Sequence, residues 1–261
     1  AWQWQEILRY ASLLLLSIGM AQLLNNRHEL ARFEALLLTA SLLSQAWVSG
    51  LLRAGLSTLA PKKPGLLTYA ILAAFALLAL LSLELLEPWI AQKFDRNYLF
   101  ASPQEKWWFR LWFFGLTTGF LLDYPWLHQR NFQALWRRST LLHLAYPLAA
   151  LLPFAFQTTV SLSQIFQNLA IITLFRSLWA LSIALNKHRS NFKFQESKKL
   201  LSLAWPLIFL SFMGGYGLHI DGTIVLGFGG PLAFLIFQYG AREFPLSQLL
   251  AGGFSESQAL N

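Results

Sequence analysis

Eight apolar runs, each about 18 to 25 residues long, dominate this sequence and are separated by short polar or charged stretches. A helix needs a continuous run of about 20 residues to cross the hydrocarbon core of a bilayer, whereas barrel strands are about half as long and alternate. In lipid every backbone N–H and C=O has to be satisfied within the protein, so runs of this kind are expected to be helices. They cover Ile7–Leu24, Ala35–Leu52, Leu66–Ile90, Trp107–Leu127, Thr140–Gln157, Ile165–Asn186, Leu201–Val225 and Pro231–Ala251. The expected fold is all-α, a polytopic transmembrane bundle of about eight helices. The first run leads into Asn25, Asn26, Arg27 and His28 rather than a small-residue cleavage site, and reads as a retained span, not a signal peptide. The last two runs are interrupted by Gly214, Gly215 and Gly217 and by the stretch Gly227–Pro231, and glycine and proline are common in membrane helices.

Composition agrees. Hydrophobic residues make up 56% and charged residues 12% of the chain, against about 25% charged residues in an average soluble domain. There is no Cys, which removes disulfides, thiolate metal sites and a Cys nucleophile. The net charge of +8 is spread over several loops with no basic patch of domain size, so nucleic acid is not an expected partner and membrane lipid is.

Orientation follows from Lys and Arg. With the N-terminus inside, the inner side carries twelve: Arg9, Arg53, Lys62, Lys63, Arg130, Arg137, Arg138, Lys187, Arg189, Lys193, Lys198 and Lys199. The outer side carries five: Arg27, Arg32, Lys93, Arg96 and Lys106. The loops Thr158–Gln164 and Gly227–Gly230 contain none, as outer loops should. The basic loop Lys187–Lys199 reads as a topology determinant lying against anionic headgroups.

Two stretches resemble a known family. The segment Val48-Ser49-Gly50-Leu51-Leu52-Arg53-Ala54-Gly55-Leu56 is similar to the end of the first helical hairpin of bacterial polysaccharide flippases. The C-terminal stretch adds Leu200-Leu201-Ser202-Leu203-Ala204-Trp205-Pro206-Leu207, then His219-Ile220-Asp221-Gly222-Thr223-Ile224-Val225-Leu226-Gly227-Phe228-Gly229-Gly230, and then Phe237-Gln238-Tyr239-Gly240-Ala241-Arg242-Glu243 and Phe244-Pro245-Leu246. This order resembles lipid-linked oligosaccharide flippases of the multidrug/oligosaccharidyl-lipid/polysaccharide exporter superfamily. Motif-level likeness covers about fifty residues, and the rest is likeness of topology.

The resemblance implies twelve to fourteen spans in two pseudo-symmetric lobes that alternate between inward- and outward-facing states. Residues 1–199 would be a first lobe of six spans with its basic inner loop, and residues 200–261 two spans opening a second lobe. The remainder would come from a continuing chain, another copy or another subunit. The implied function is flipping an anionic lipid-linked oligosaccharide or polysaccharide precursor across the bacterial cytoplasmic (inner) membrane, with no cofactor and no ATPase motif. The competing reading is a non-transporting integral membrane subunit of an envelope-assembly or secretion complex. An intramembrane transferase is disfavoured, since the chain has no G-x-S-x-G, Walker-type loop or metal-spaced histidines.

Ionisable groups at membrane depth cost a few kcal/mol on insertion scales, about 2.5–3.5 each, and so mark candidate functional positions. Arg176 lies about eleven residues, roughly 17 Å, from the outer end of its span. Thr173, Arg176, Ser177, Ala180 and Ala184 follow i, i+3, i+4 spacing and form a small-polar stripe expected to face a cavity or a neighbouring helix. Arg242 sits at comparable depth in the eighth span with Gln238 one turn before it. Arg176, Arg242, Gln238 and Thr173 are the expected substrate-binding set, with guanidinium groups receiving diphosphate or acidic sugars through bidentate hydrogen bonds. Asp221 and Glu243 are candidates for an ion pair or coupling role. Glu84, Glu87 and Asp123 read as interfacial carboxylates at span ends.

Since the chain has no native Cys, the orientation is testable with single cysteines at Ser161 and Ser190. An impermeant thiol reagent applied to intact cells is expected to label position 161 only, and labelling at 190 alone would invert the topology.

Overall fold

The computed structural model describes residues 2–24, 26–58, 66–94, 100–122, 132–157, 159–187 and 194–240. Among them every regular element is helical: α1 (Trp2–Leu23), α2 (Arg27–Thr58), α3 (Leu66–Phe94), α4 (Pro103–Leu122), α5 (Phe132–Leu151) closed by a 3-10 turn (Leu152–Ala155), α6 (Leu162–Lys187) and α7 (Phe194–Gly240). The all-α class is therefore as expected. The first six apolar runs begin in turn within α1 to α6, and the last two both begin within α7.

Short polar sequences set the helix starts. At α2 the Asn26 carboxamide accepts from the His28 N–H at 3.0 Å, the side-chain cap that Asn provides well. Ser102 precedes Pro103 and caps α4, its hydroxyl accepting from the Glu105 N–H at 3.2 Å, with Pro at the first helical position where no N–H is needed. At α6, Ser161 and Gln164 form a reciprocal capping box. The Ser161 N–H donates to Gln164 Oε1 at 3.1 Å and the Gln164 N–H donates back to Ser161 Oγ at 3.4 Å.

α7 is not one straight rod. Gly230 has φ 73° and ψ −176°, a conformation open essentially to glycine alone, and Pro231 follows it. In an unbroken helix Gly222 and Phe234 would be about 18 Å apart. Instead a Cβ on Gly222 would lie 3.3 Å from the Phe234 ring, so the chain folds back at Gly230. This reversal falls in the Gly227–Gly230 loop expected between the last two spans. The returning arm is fastened by Tyr239, whose hydroxyl lies 2.9 Å from Glu34 Oε1 and 3.0 Å from the Ser17 carbonyl. Glu34 is 1% exposed, and this phenol is its hydrogen-bond donor.

Relative helix directions follow from pairs of contacts. Leu38 of α2 packs with Leu226 and Phe234, while a Cβ on Gly50 would sit 2.5 Å from Ile208 Cα, so α2 and the first arm of α7 run antiparallel with backbones nearly touching. Phe109 meets Phe166 edge-on at 5.2 Å and Gly119 meets Arg176 ten residues further on, so α4 and α6 run parallel. Arg110 of α4 is ion-paired with Glu84 of α3, and Lys106 with Glu87. Phe33, Phe109, Trp112, Phe113 and Phe166 form the aromatic centre of the main core, from α2, α4 and α6. The directions of α2, α3, α4, α6 and the first arm of α7 fit a chain that alternates up and down.

Two segments are long and apolar enough to cross a membrane by length and composition, Leu162–Ser182 and His219–Gly240. The second contains Gly230, so its chain reverses within it rather than running straight through. Shorter apolar stretches occur at Ala11–Leu23, Ala73–Leu85, Ser139–Ala155 and Leu201–Met213.

Candidate functional site between α4 and α6

The seam between α4 and α6 is built from small residues. Gly115 and Gly119 are one turn apart on α4, and the spacing Gly-x-x-x-Gly is the one that lets two helices approach closely in lipid. A Cβ at Gly115 would lie 2.7 Å from Thr173 Oγ1 and 2.9 Å from the Leu174 backbone nitrogen. No side chain fits there.

Close approach lets hydroxyls bond across the seam. Ser177 Oγ donates to the Gly115 carbonyl at 2.8 Å, and the Thr118 and Ser177 hydroxyls are 2.8 Å apart. Thr173, buried to 2% exposure, lies 3.4 Å from the Trp112 carbonyl while bonding its own helix at Leu169, 2.9 Å away. Trp112 in turn donates from Nε1 to the Tyr146 hydroxyl at 2.8 Å, which ties α5 to the same seam.

Arg176 lies at the inner end of this layer. It is 7% exposed, and its side chain crosses Gly119, where a Cβ would come within 3.0 Å of Arg176 Cδ and 3.2 Å of Nε. Its charge acts electrostatically on the Tyr146 phenol. The glycine supplies the groove in which the guanidinium stem lies.

Of the expected site residues, the fold brings Thr173 and Arg176 together on one face of α6. Gln238 is half-buried on the returning arm of α7, and Asp221 is exposed on the first arm, whose main neighbour is α2. Asp221 has no ion-pair partner among the described residues. Arg242, Glu243, Asp123 and the centre of the basic loop lie outside the described residues. Glu84 and Glu87, expected as interfacial carboxylates, are part-exposed and paired with Arg110 and Lys106, Glu87 also lying 3.6 Å from Arg110.

Sequence reasoning missed three features. The Gly115–Gly119 spacing was legible and carries the seam. Glu34 stands one residue before an apolar run, and only the fold reveals its burial against Tyr239. Arg32 and Glu105 form a largely buried ion pair between α2 and the first turn of α4. Burial pushes the Glu105 carboxyl above its ordinary value although Arg32 pulls it down.

No family model matches the sequence, and neither the curated proteins nor the solved structures yield a match.

The seam makes a graded forecast. Gly115→Ala drives a methyl into the α6 backbone and is expected to destabilise the protein by about 1–3 kcal/mol, the usual cost of overpacking. Gly119→Ala meets only the flexible Arg176 side chain, so its cost is expected to be smaller. Thermal unfolding of the two variants in one detergent checks the order.

Proposed function

We propose that the chain is part of a polytopic membrane transporter that flips an anionic lipid-linked oligosaccharide or polysaccharide precursor across the bacterial cytoplasmic membrane. Residues 1–199 act as one lobe and residues 200–261 open a second. The observation that carries the reading is Arg176: a permanent cation on a Leu-, Ile- and Phe-rich helix, 7% exposed, with its stem lying across Gly119 of α4 rather than reaching out to a surface.

Three further features support the membrane setting. Large apolar side chains point outward along several helices, among them Phe228 at 93% exposure, Leu85 at 79% and Ile236 at 75%, while hydroxyls and Arg176 point inward. Soluble monomers rarely expose contiguous apolar surface beyond a few hundred Å². The parallel α4–α6 and antiparallel α2–α7 directions suit a chain crossing a bilayer back and forth. Asp221 lies nine residues, about 14 Å, before the reversal at Gly230, near mid-membrane in this reading. An ionised carboxylate facing lipid there would cost about 2.5–3.5 kcal/mol, so in this reading Asp221 is answered by an ion-pair partner outside the described residues.

In that arrangement Arg176 serves the diphosphate or an acidic sugar. Its planar fork offers two parallel N–H donors to a pair of anionic oxygens, a geometry that Lys does not reproduce. The lipid tail stays in the bilayer beside the lobes.

The test compares export of the glycan with accumulation of folded protein in the complete assembly. Arg176→Lys is expected to leave accumulation near normal and to impair export about tenfold or more, by loss of one charge-assisted hydrogen bond. Normal export in Arg176→Lys and Arg176→Ala would eliminate the anion role. Loss of folded protein as the only effect would favour a non-transporting structural subunit.

A further inference from the structure

At the end of the bundle where α1 ends and α2, α4 and α6 begin, the elements enclose an open cleft of about 590 Å³. We propose that this cleft binds a neutral saccharide. It is separate from Arg176, since its walls come from the first two turns of α6 and from the starts of α2 and α4.

Its chemistry is unusual for this chain. Four carboxamides line it, Asn26, Gln104, Gln164 and Gln167, together with the hydroxyl groups of Thr159, Ser161 and Ser163. Among the described residues that line it, Glu29 is the only charged side chain and there is no Lys or Arg, in a protein of net charge +8. Among the described lining residues a phosphate, sulfate or uronate would meet one carboxylate and no cation. A carboxamide instead presents a donor and an acceptor side by side, which matches adjacent hydroxyls of a sugar ring, each of which both donates and accepts. Leu24 and Val160 form an apolar floor continuous with the main core, and the half-buried Phe154 ring adds an apolar wall for the C–H face of a pyranose.

The cleft is also preformed. Gln164 is held by its capping box with Ser161 and donates from Nε2 to Gln157 Oε1 at 3.2 Å. Asn26 is held by the His28 N–H, which leaves its NH₂ to donate. By contrast Gln104, Thr159, Ser163 and Gln167 make no side-chain hydrogen bond among the described residues, so their donors and acceptors are open to a ligand. A volume of this size lies within the range of about 300–1,000 Å³ typical of small-molecule sites and holds one or two sugar rings. By the Lys and Arg bias this end faces outward, away from the cytoplasm.

The site is tested on purified protein in a detergent that has no sugar headgroup, since a maltoside would compete. Saturation-transfer NMR is recorded with methyl glycosides of glucose, galactose and N-acetylglucosamine, with methyl glucuronide as the anionic control. At least one neutral glycoside is expected to receive saturation, with methyl glucuronide weaker than its neutral counterpart. The double variant Gln104→Leu/Gln167→Leu is expected to weaken binding by about tenfold or more, with an unchanged unfolding temperature because neither side chain bonds another described residue. No transfer to any neutral glycoside, transfer unaffected by the double variant, or preference for the glucuronide would each overturn the proposal. None of these outcomes depends on export, so failure here leaves the transport reading standing and the reverse also holds.

Discussion

At Gly115 the backbone of α4 comes so close to α6 that one added methyl group would collide with Thr173 and Leu174. In lipid no hydrophobic force drives two apolar helices together, because the lipid tails are as apolar as the side chains. In the proposed membrane setting association then rests on close van der Waals contact and on polar groups that find partners across the seam. Gly115 provides the first, and Ser177 and Thr118 the second. Arg176 depends on the first, since Gly119 leaves the groove in which its stem lies.

The other half of the fold uses the same device with different residues. Gly50 lets α2 meet α7 at Ile208, and the reversal at Gly230 returns the chain so that Phe234 and Tyr239 pack against α2. Charged residues gather toward the end where α2 and α4 begin, in the Arg32–Glu105 pair and the Glu84–Arg110 and Glu87–Lys106 pairs. Of these, only the Arg32–Glu105 pair is largely buried; such a pair adds little net stability but costs about 3–5 kcal/mol when one partner is removed, so it fixes α2 beside α4 more than it tightens their contact.

The apolar runs made the helices legible, because a run of about 20 residues with few charges has one backbone solution in lipid. The Gly227–Pro231 stretch marked the turn in α7, since glycine and proline concentrate where a helix cannot continue. The i, i+3, i+4 stripe placed Thr173, Arg176 and Ser177 on one face, and that face is the one buried against α4. The identity of the neighbour was not legible. Helix pairing in a bundle depends on the relative rotation of each rod, which one helix's periodicity does not report. The spacing Gly115–Gly119 contained part of the answer for α4. Glu34 gave no signal at all, because its burial arises from an arm of α7 more than 200 residues away in sequence. The amide-rich cleft was equally hidden, its walls coming from four separate stretches of chain.

The most direct test of the central claim is equilibrium binding of a water-soluble isoprenyl diphosphate, farnesyl diphosphate, to purified protein and to Arg176→Lys. The wild-type protein is predicted to bind it saturably, and the variant to bind about tenfold more weakly while unfolding at the same temperature. Equal affinity in the two proteins would contradict the assignment of Arg176 as the anion-receiving group.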